Sequence, residues 1–163
     1  MNKTNAMRIL ENAKIEYEAF EYEVDEKEYE KTPAGSLALH SAQACGFPPE
    51  QVFKTIVMRN EHKQIFVFCV PSNTTVNLKK VRTLTNSKEI NSVKPEELLS
   101  LTGYVRGGCS PLGMKKIYPI FIDETAILFD FIFVSAGVRG THLKLNGEDL
   151  AKVCNAEFAE LTL

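Results

Sequence analysis

The chain has 163 residues, 44% hydrophobic and 25% charged, which suits one folded domain over 1–163 and excludes a disordered segment. A formal net charge of −2 excludes a surface that is basic all round, so any contact with nucleic acid must come from a local cluster. No apolar run is long enough for a signal peptide or a bilayer span, and the longest, near Phe129–Val134, is interrupted by Asp130. A cytoplasmic location follows as the expectation, with the scattered Cys45, Cys69, Cys109 and Cys154 as free thiols.

Thr4 caps a first helix whose Met7, Leu10 and Ala13 recur at helical spacing. Ile15 to Val24 reads as strand, with the alternation slipping between Ala19 and Phe20 as at a bulge. Asp25 to Gly35 reads as a charged surface loop. A second helix runs from Ser36 to about Cys45 and stops at Gly46. Val52–Met58 and Gln64–Val70, joined by polar Asn60-Glu61-His62-Lys63, form a hairpin that Pro71 ends. Asn77 caps a helix with Leu78, Val81 and Leu84 on one face, and Pro95 opens another that stops at Gly103. Six of the nine glycines fall between Gly103 and Gly140, alternating with buried strands at Ile120–Ile122 and Phe131–Val134. A last helix starts near Asn146, before a strand-like AEFAELTL. The expected fold is α+β on a twisted, mainly antiparallel mixed sheet.

Three segments carry chemistry. In Val52-Phe53-Lys54-Thr55-Ile56-Val57-Met58 both faces are apolar, so Lys54 must pair, bend its stem to water, or face a cavity that takes an anionic or carbonyl-bearing ligand. In Gly107-Gly108-Cys109-Ser110-Pro111-Leu112-Gly113-Met114-Lys115-Lys116 the glycines let backbone amides approach a phosphate or carboxylate, or simply make a turn. Its spacing fits neither a Walker loop nor a dinucleotide fingerprint. Ser135-Ala136-Gly137-Val138-Arg139-Gly140 follows the most apolar strand and suits either a site wall or a tight hairpin. His40, His62 and His142 show no ligand spacing, so no metal and no cofactor are expected. Lys79, Lys80 and Arg82 form a solvated face or a patch for RNA phosphates.

Together with Asn77-Leu78-Lys79-Lys80-Val81 and Thr102-Gly103-Tyr104, these segments resemble the YbaK/EbsC family of aminoacyl-tRNA deacylases, related to the editing insertion of prolyl-tRNA synthetases; the resemblance runs from about Asn5 to Leu161. It implies a sheet partly closed as a barrel with flanking helices. It implies Lys54 as the essential residue and Tyr22, Thr55, Gly107, Gly108, Ser110 and Ser135 as the pocket for the aminoacyl-adenosine end. The implied activity is trans-editing removal of cysteine from tRNA(Pro), and from tRNA(Cys), with the substrate thiol as the attacking group. Prolyl-tRNA synthetase is the implied protein partner. Where many cysteine-specific members carry Asp, this chain has His142, which either orients the amino group differently or has no task. The same fold acting on alanine mischarged on that tRNA, or a non-catalytic module that binds RNA ends, is the alternative.

Overall fold

In the computed structural model, residues 2–33 and 36–163 are described. Five strands form the larger sheet: β2 (Phe53–Asn60), β3 (Ile65–Pro71), β4 (Ile90–Ser92), β5 (Ile120–Asp123) and β8 (Glu157–Ala159), in the order β4-β2-β3-β5-β8. The β2–β3 and β2–β4 pairs are antiparallel, and the β3–β5 and β5–β8 pairs parallel. A second, antiparallel sheet has the order β1 (Glu18–Glu21), β7 (Thr141–Leu145), β6 (Ile132–Ser135). A single parallel bridge, Val52 to Phe133, joins the two sheets among the described residues. The mixed, mainly antiparallel α+β architecture thus follows the sequence reading, and that bridge brings β6 beside the start of β2.

The central strand explains why the core divides in two. Val67, Phe68, Cys69 and Val70 of β3 are all fully buried, because both faces of the larger sheet are covered. On one face Phe53, Val57, Val67, Ile120 and Ile122 pack with α1 (Asn5–Asn12), α6 (Gly147–Cys154) and the smaller sheet. On the other, Met58, Phe66, Phe68 and Phe121 pack with Val81 of α4 (Leu78–Leu84) and with Leu161. Each fully buried Leu, Ile or Phe contributes roughly 1.5–3 kcal/mol by leaving water.

Caps set the helix ends that the sequence marks. Thr4 Oγ1 accepts from the Met7 amide, Asn77 Oδ1 from Lys79 and Lys80, and Asn146 Oδ1 from Asp149. Gly46 and Gly103 end α3 (Leu37–Cys45) and α5 (Pro95–Thr102) in the left-handed conformation.

Two expectations need correction. No bulge interrupts β1: Glu18 to Glu21 pair in unbroken register with Lys144 to Thr141. Ala19 and Phe20 are both apolar because both sides of this sheet are covered, Ala19 packing into the main core and Phe20 against Phe47 and Phe133. The charged stretch after Asp25 is a short helix, α2 (Glu26–Lys31), with Asp25 accepting from the Lys27 and Glu28 amides and Glu26 and Glu28 in its first turn. Ala34 and Gly35, the end of that expected loop, lie outside the described residues.

Candidate active site

The site begins where β2 loses a neighbour. Its outer edge pairs with β4 only from Met58 to Asn60, and with β6 only at Val52. The Val57 carbonyl accepts from the Val93 amide, so the polar groups of residue 57 face that outer edge. The two-residue period turns the N–H and C=O of Thr55 the same way, toward a stretch with no strand beside it. A cavity of about 230 Å³ occupies this gap, which is why the consecutive residues Phe53 to Val57 all line it.

Lys54 lines this cavity and is half-buried. Desolvation pulls its ammonium below the ordinary lysine range. Gly107 lines the same cavity from the glycine loop, with φ +82; a Cβ there would collide with the Tyr29 side chain, so the position under α2 favours glycine. Tyr29 itself lines the cavity, and burial pushes its phenol up to about 12.

The glycine loop is held from behind. The Tyr104 hydroxyl donates to the Leu112 carbonyl, and its ring lies so near Gly137 that a Cβ there would be 2.9 Å away. One aromatic residue therefore braces both glycine-rich loops. Gly108 and Ser110 belong to this support and do not line the cavity. The Gly108 amide donates to the Val105 carbonyl at 2.9 Å, so it is taken up within the loop. Ser110 is fully buried and accepts from the Leu112 amide. Cys109 lines the cavity, but burial pushes its thiol up to about 12, which leaves it protonated and unreactive at neutral pH.

The opposite wall is a cluster of neutral polar groups. His142 stacks on Tyr22 with ring centroids 5.0 Å apart, and its Nε2 lies 3.0 Å from Ser41 Oγ. Burial lowers the His142 pKa to about 4, so it is neutral at neutral pH. Ser41 lies near this place on α3, whose C-terminal end is tied to β6 by Phe47 and Phe133, stacked 4.0 Å apart. Ser135 also lines the cavity, its Oγ accepting from the Gly137 amide. No Asp or Glu is among the described lining residues.

The fold therefore brings Lys54, Thr55, Tyr22, Gly107, Ser135 and His142 to one cavity. Lys79, Lys80 and Arg82 are not brought there. They lie on α4, across the larger sheet, where Lys80 donates to Glu160 at 2.6 Å and to the Thr162 carbonyl. The sequence reading missed Tyr29, Ser41 and Arg106, which also line the cavity. Arg106 was recoverable from its position beside Gly107. Ser41 carries no signal at all, being one small residue on an ordinary helix.

Comparison with known proteins decides the family. The model of the aminoacyl-tRNA editing domain matches residues 32–153, three-quarters of the chain and most of the cavity wall. The chain belongs to this editing-domain family. The chain is 36% identical over 160 residues to EbsC of Enterococcus faecalis, provisionally named a Cys-tRNA(Pro)/Cys-tRNA(Cys) deacylase, covering 98% of this chain and 93% of that protein. Its fold matches the crystal structure of a protein provisionally described as a trans-editing enzyme for prolyl-tRNA synthetase, with a TM-score of 0.77, 22% identity and 100% and 99% of the two chains covered. A TM-score of 0.83 at 14% identity relates it to the hypothetical protein APE2540, over 98% and 100% of the chains. Among the described residues of the editing domain, no helix is long and apolar enough to cross a membrane.

Proposed function

We propose that this chain is a cytoplasmic trans-editing deacylase that cleaves the ester between a mischarged amino acid, cysteine first, and the 3′ end of tRNA(Pro). One observation supports this reading: Lys54 and Gly107 line the same small, largely apolar cavity. The aminoacyl ester is already activated. The protein needs mainly to hold its carbonyl and stabilise the charge that develops on oxygen. In this reading the backbone of the Gly107 loop supplies the oxyanion donor, and the Lys54 ammonium adds a point charge for the carbonyl region or terminal adenosine.

No side chain is required as a nucleophile. Cys109 is held as a thiol, and Ser110 is enclosed in its turn. For a cysteinyl substrate, the sulfur attacks its own carbonyl carbon to close a four-membered thiolactone. The ester C–O bond breaks, and the RNA 3′ oxygen leaves with the thiol proton. The substrate amino group meets Tyr22, Ser41 and His142, so it is held by neutral hydrogen bonds and not by a carboxylate. Discrimination between cysteine and alanine is limited to about 1–3 kcal/mol in such a pocket, which makes a synthetase partner that selects the tRNA useful.

The test is release of labelled amino acid from Cys-tRNA(Pro), Ala-tRNA(Pro) and Cys-tRNA(Cys). Faster release from Cys-tRNA(Pro) is expected. Faster release from Ala-tRNA(Pro) would assign alanine as the substrate, and no release from any would leave a binding module.

A further inference from the structure

We infer that Arg106 and Arg139 form the seat for the phosphate preceding the terminal nucleoside of the RNA, and that Glu26 of α2 occupies this seat until RNA displaces it. The inference rests on the deacylase reading of the same cavity.

The two loops that wall the cavity meet at these residues. A Cβ on Gly108 would lie 3.2 Å from the Arg139 amide, and Arg139 Nε donates to the Arg106 carbonyl at 2.8 Å. Arg106 lines the cavity. One terminal nitrogen of its guanidinium donates to the Thr32 carbonyl, while its buried Nε has no hydrogen-bond partner among the described residues. A buried guanidinium donor without a partner is costly and uncommon unless a ligand completes it. Arg139 lies over the Tyr29 ring, 4.6 Å from its centroid, so its planar head is held in place.

The present partner of Arg139 is weakly bound. Its Nη1 meets Glu26 Oε2 at 3.0 Å, but the Glu26 side chain is 68% exposed, and such surface pairs add little stability. A phosphodiester carries the same charge and accepts two parallel N–H bonds from a guanidinium, so exchange of one anion for the other costs little. The cavity volume of about 230 Å³ is below the usual range for a ligand site of roughly 300–1,000 Å³. The ester end fills it, and the polyanionic chain must leave along this rim. The α4 lysines cannot serve here, since they lie beyond the larger sheet.

The experiment measures binding of a short fluorescent RNA ending in CCA across a potassium chloride series. A companion RNA carries a neutral methylphosphonate at its last internucleotide linkage. With wild type, the neutral linkage is expected to reduce the slope of log affinity against log salt by about 0.7, the value for one single-strand phosphate contact. Arg139→Gln and Arg106→Gln should each reduce the slope on the ordinary RNA, and the neutral linkage should then cost them little more. Glu26→Gln should bind the ordinary RNA several-fold more tightly at low salt than Glu28→Gln, which removes a nearby charge that is not on Arg139. A full methylphosphonate effect in Arg139→Gln, or no effect in wild type, overturns the phosphate seat; the wild-type result does not depend on any variant folding. A wild type that deacylates mischarged tRNA but gives either result refutes this seat alone. A wild type that neither deacylates nor binds refutes the function as well.

Discussion

Acid should weaken the fold through one buried side chain. His142 has a folded pKa of about 4 against an ordinary value near 6.5, because its imidazole is enclosed between Tyr22, Ser41 and β6 and charging it there is unfavourable. Below pH 6.5 the unfolded chain takes up this proton and the folded chain does not. Stability is therefore complete above pH 6.5 and falls as the pH drops toward 4, by about 1.4 kcal/mol per pH unit while one proton separates the states. Over the whole window the loss is about 3 kcal/mol, a large fraction of a typical domain's stability. The assay is urea unfolding of wild type and His142→Gln at several pH values between 7.5 and 4. Wild type should show the extra slope, and the variant should lack it. Parallel pH dependences in the two proteins would refute the enclosed, neutral histidine.

Gly107→Ala should cost about 1–2 kcal/mol for its left-handed backbone, and more as Tyr29 is displaced, with deacylation falling at least as far; unfolding and turnover measured together check this. Phe68→Ala, in the fully buried centre of β3, should lose about 3–5 kcal/mol in urea unfolding. Cys109→Ser should retain turnover within a few-fold, and wild type should resist alkylation of that thiol at neutral pH, because its pKa is raised to about 12; complete loss of turnover would indicate a covalent acyl-enzyme.

The sequence made much of this site legible because its chemistry sits where local rules are broken. A lysine in an apolar strand stood out, and so did two glycines in a row. Placing the lysine in a cavity required knowing that β4 pairs with only the far half of β2, a tertiary fact with no local signal. The short helix α2 was hidden because a run of acids reads as solvated chain. Its Asp25 cap and acidic first turn were visible, but Tyr29 is its one buried residue and gives no periodicity. Strand β7 was hidden by the glycines beside it, although Leu143 and Leu145 alternate with His142 and Lys144. The α4 cations failed as a site for a topological reason: they project from the opposite side of the sheet, and Lys80 is already bound to the chain terminus. Charge clustering in sequence says nothing about which face a helix covers.

The account depends on the ammonium at the open edge of β2. Its most direct test is the rate of cysteine release from Cys-tRNA(Pro) by wild type and Lys54→Ala, with both proteins shown to unfold at the same urea concentration. The expected result is a fall of about 100-fold or more with unchanged stability. Turnover by Lys54→Ala at the wild-type rate would contradict it.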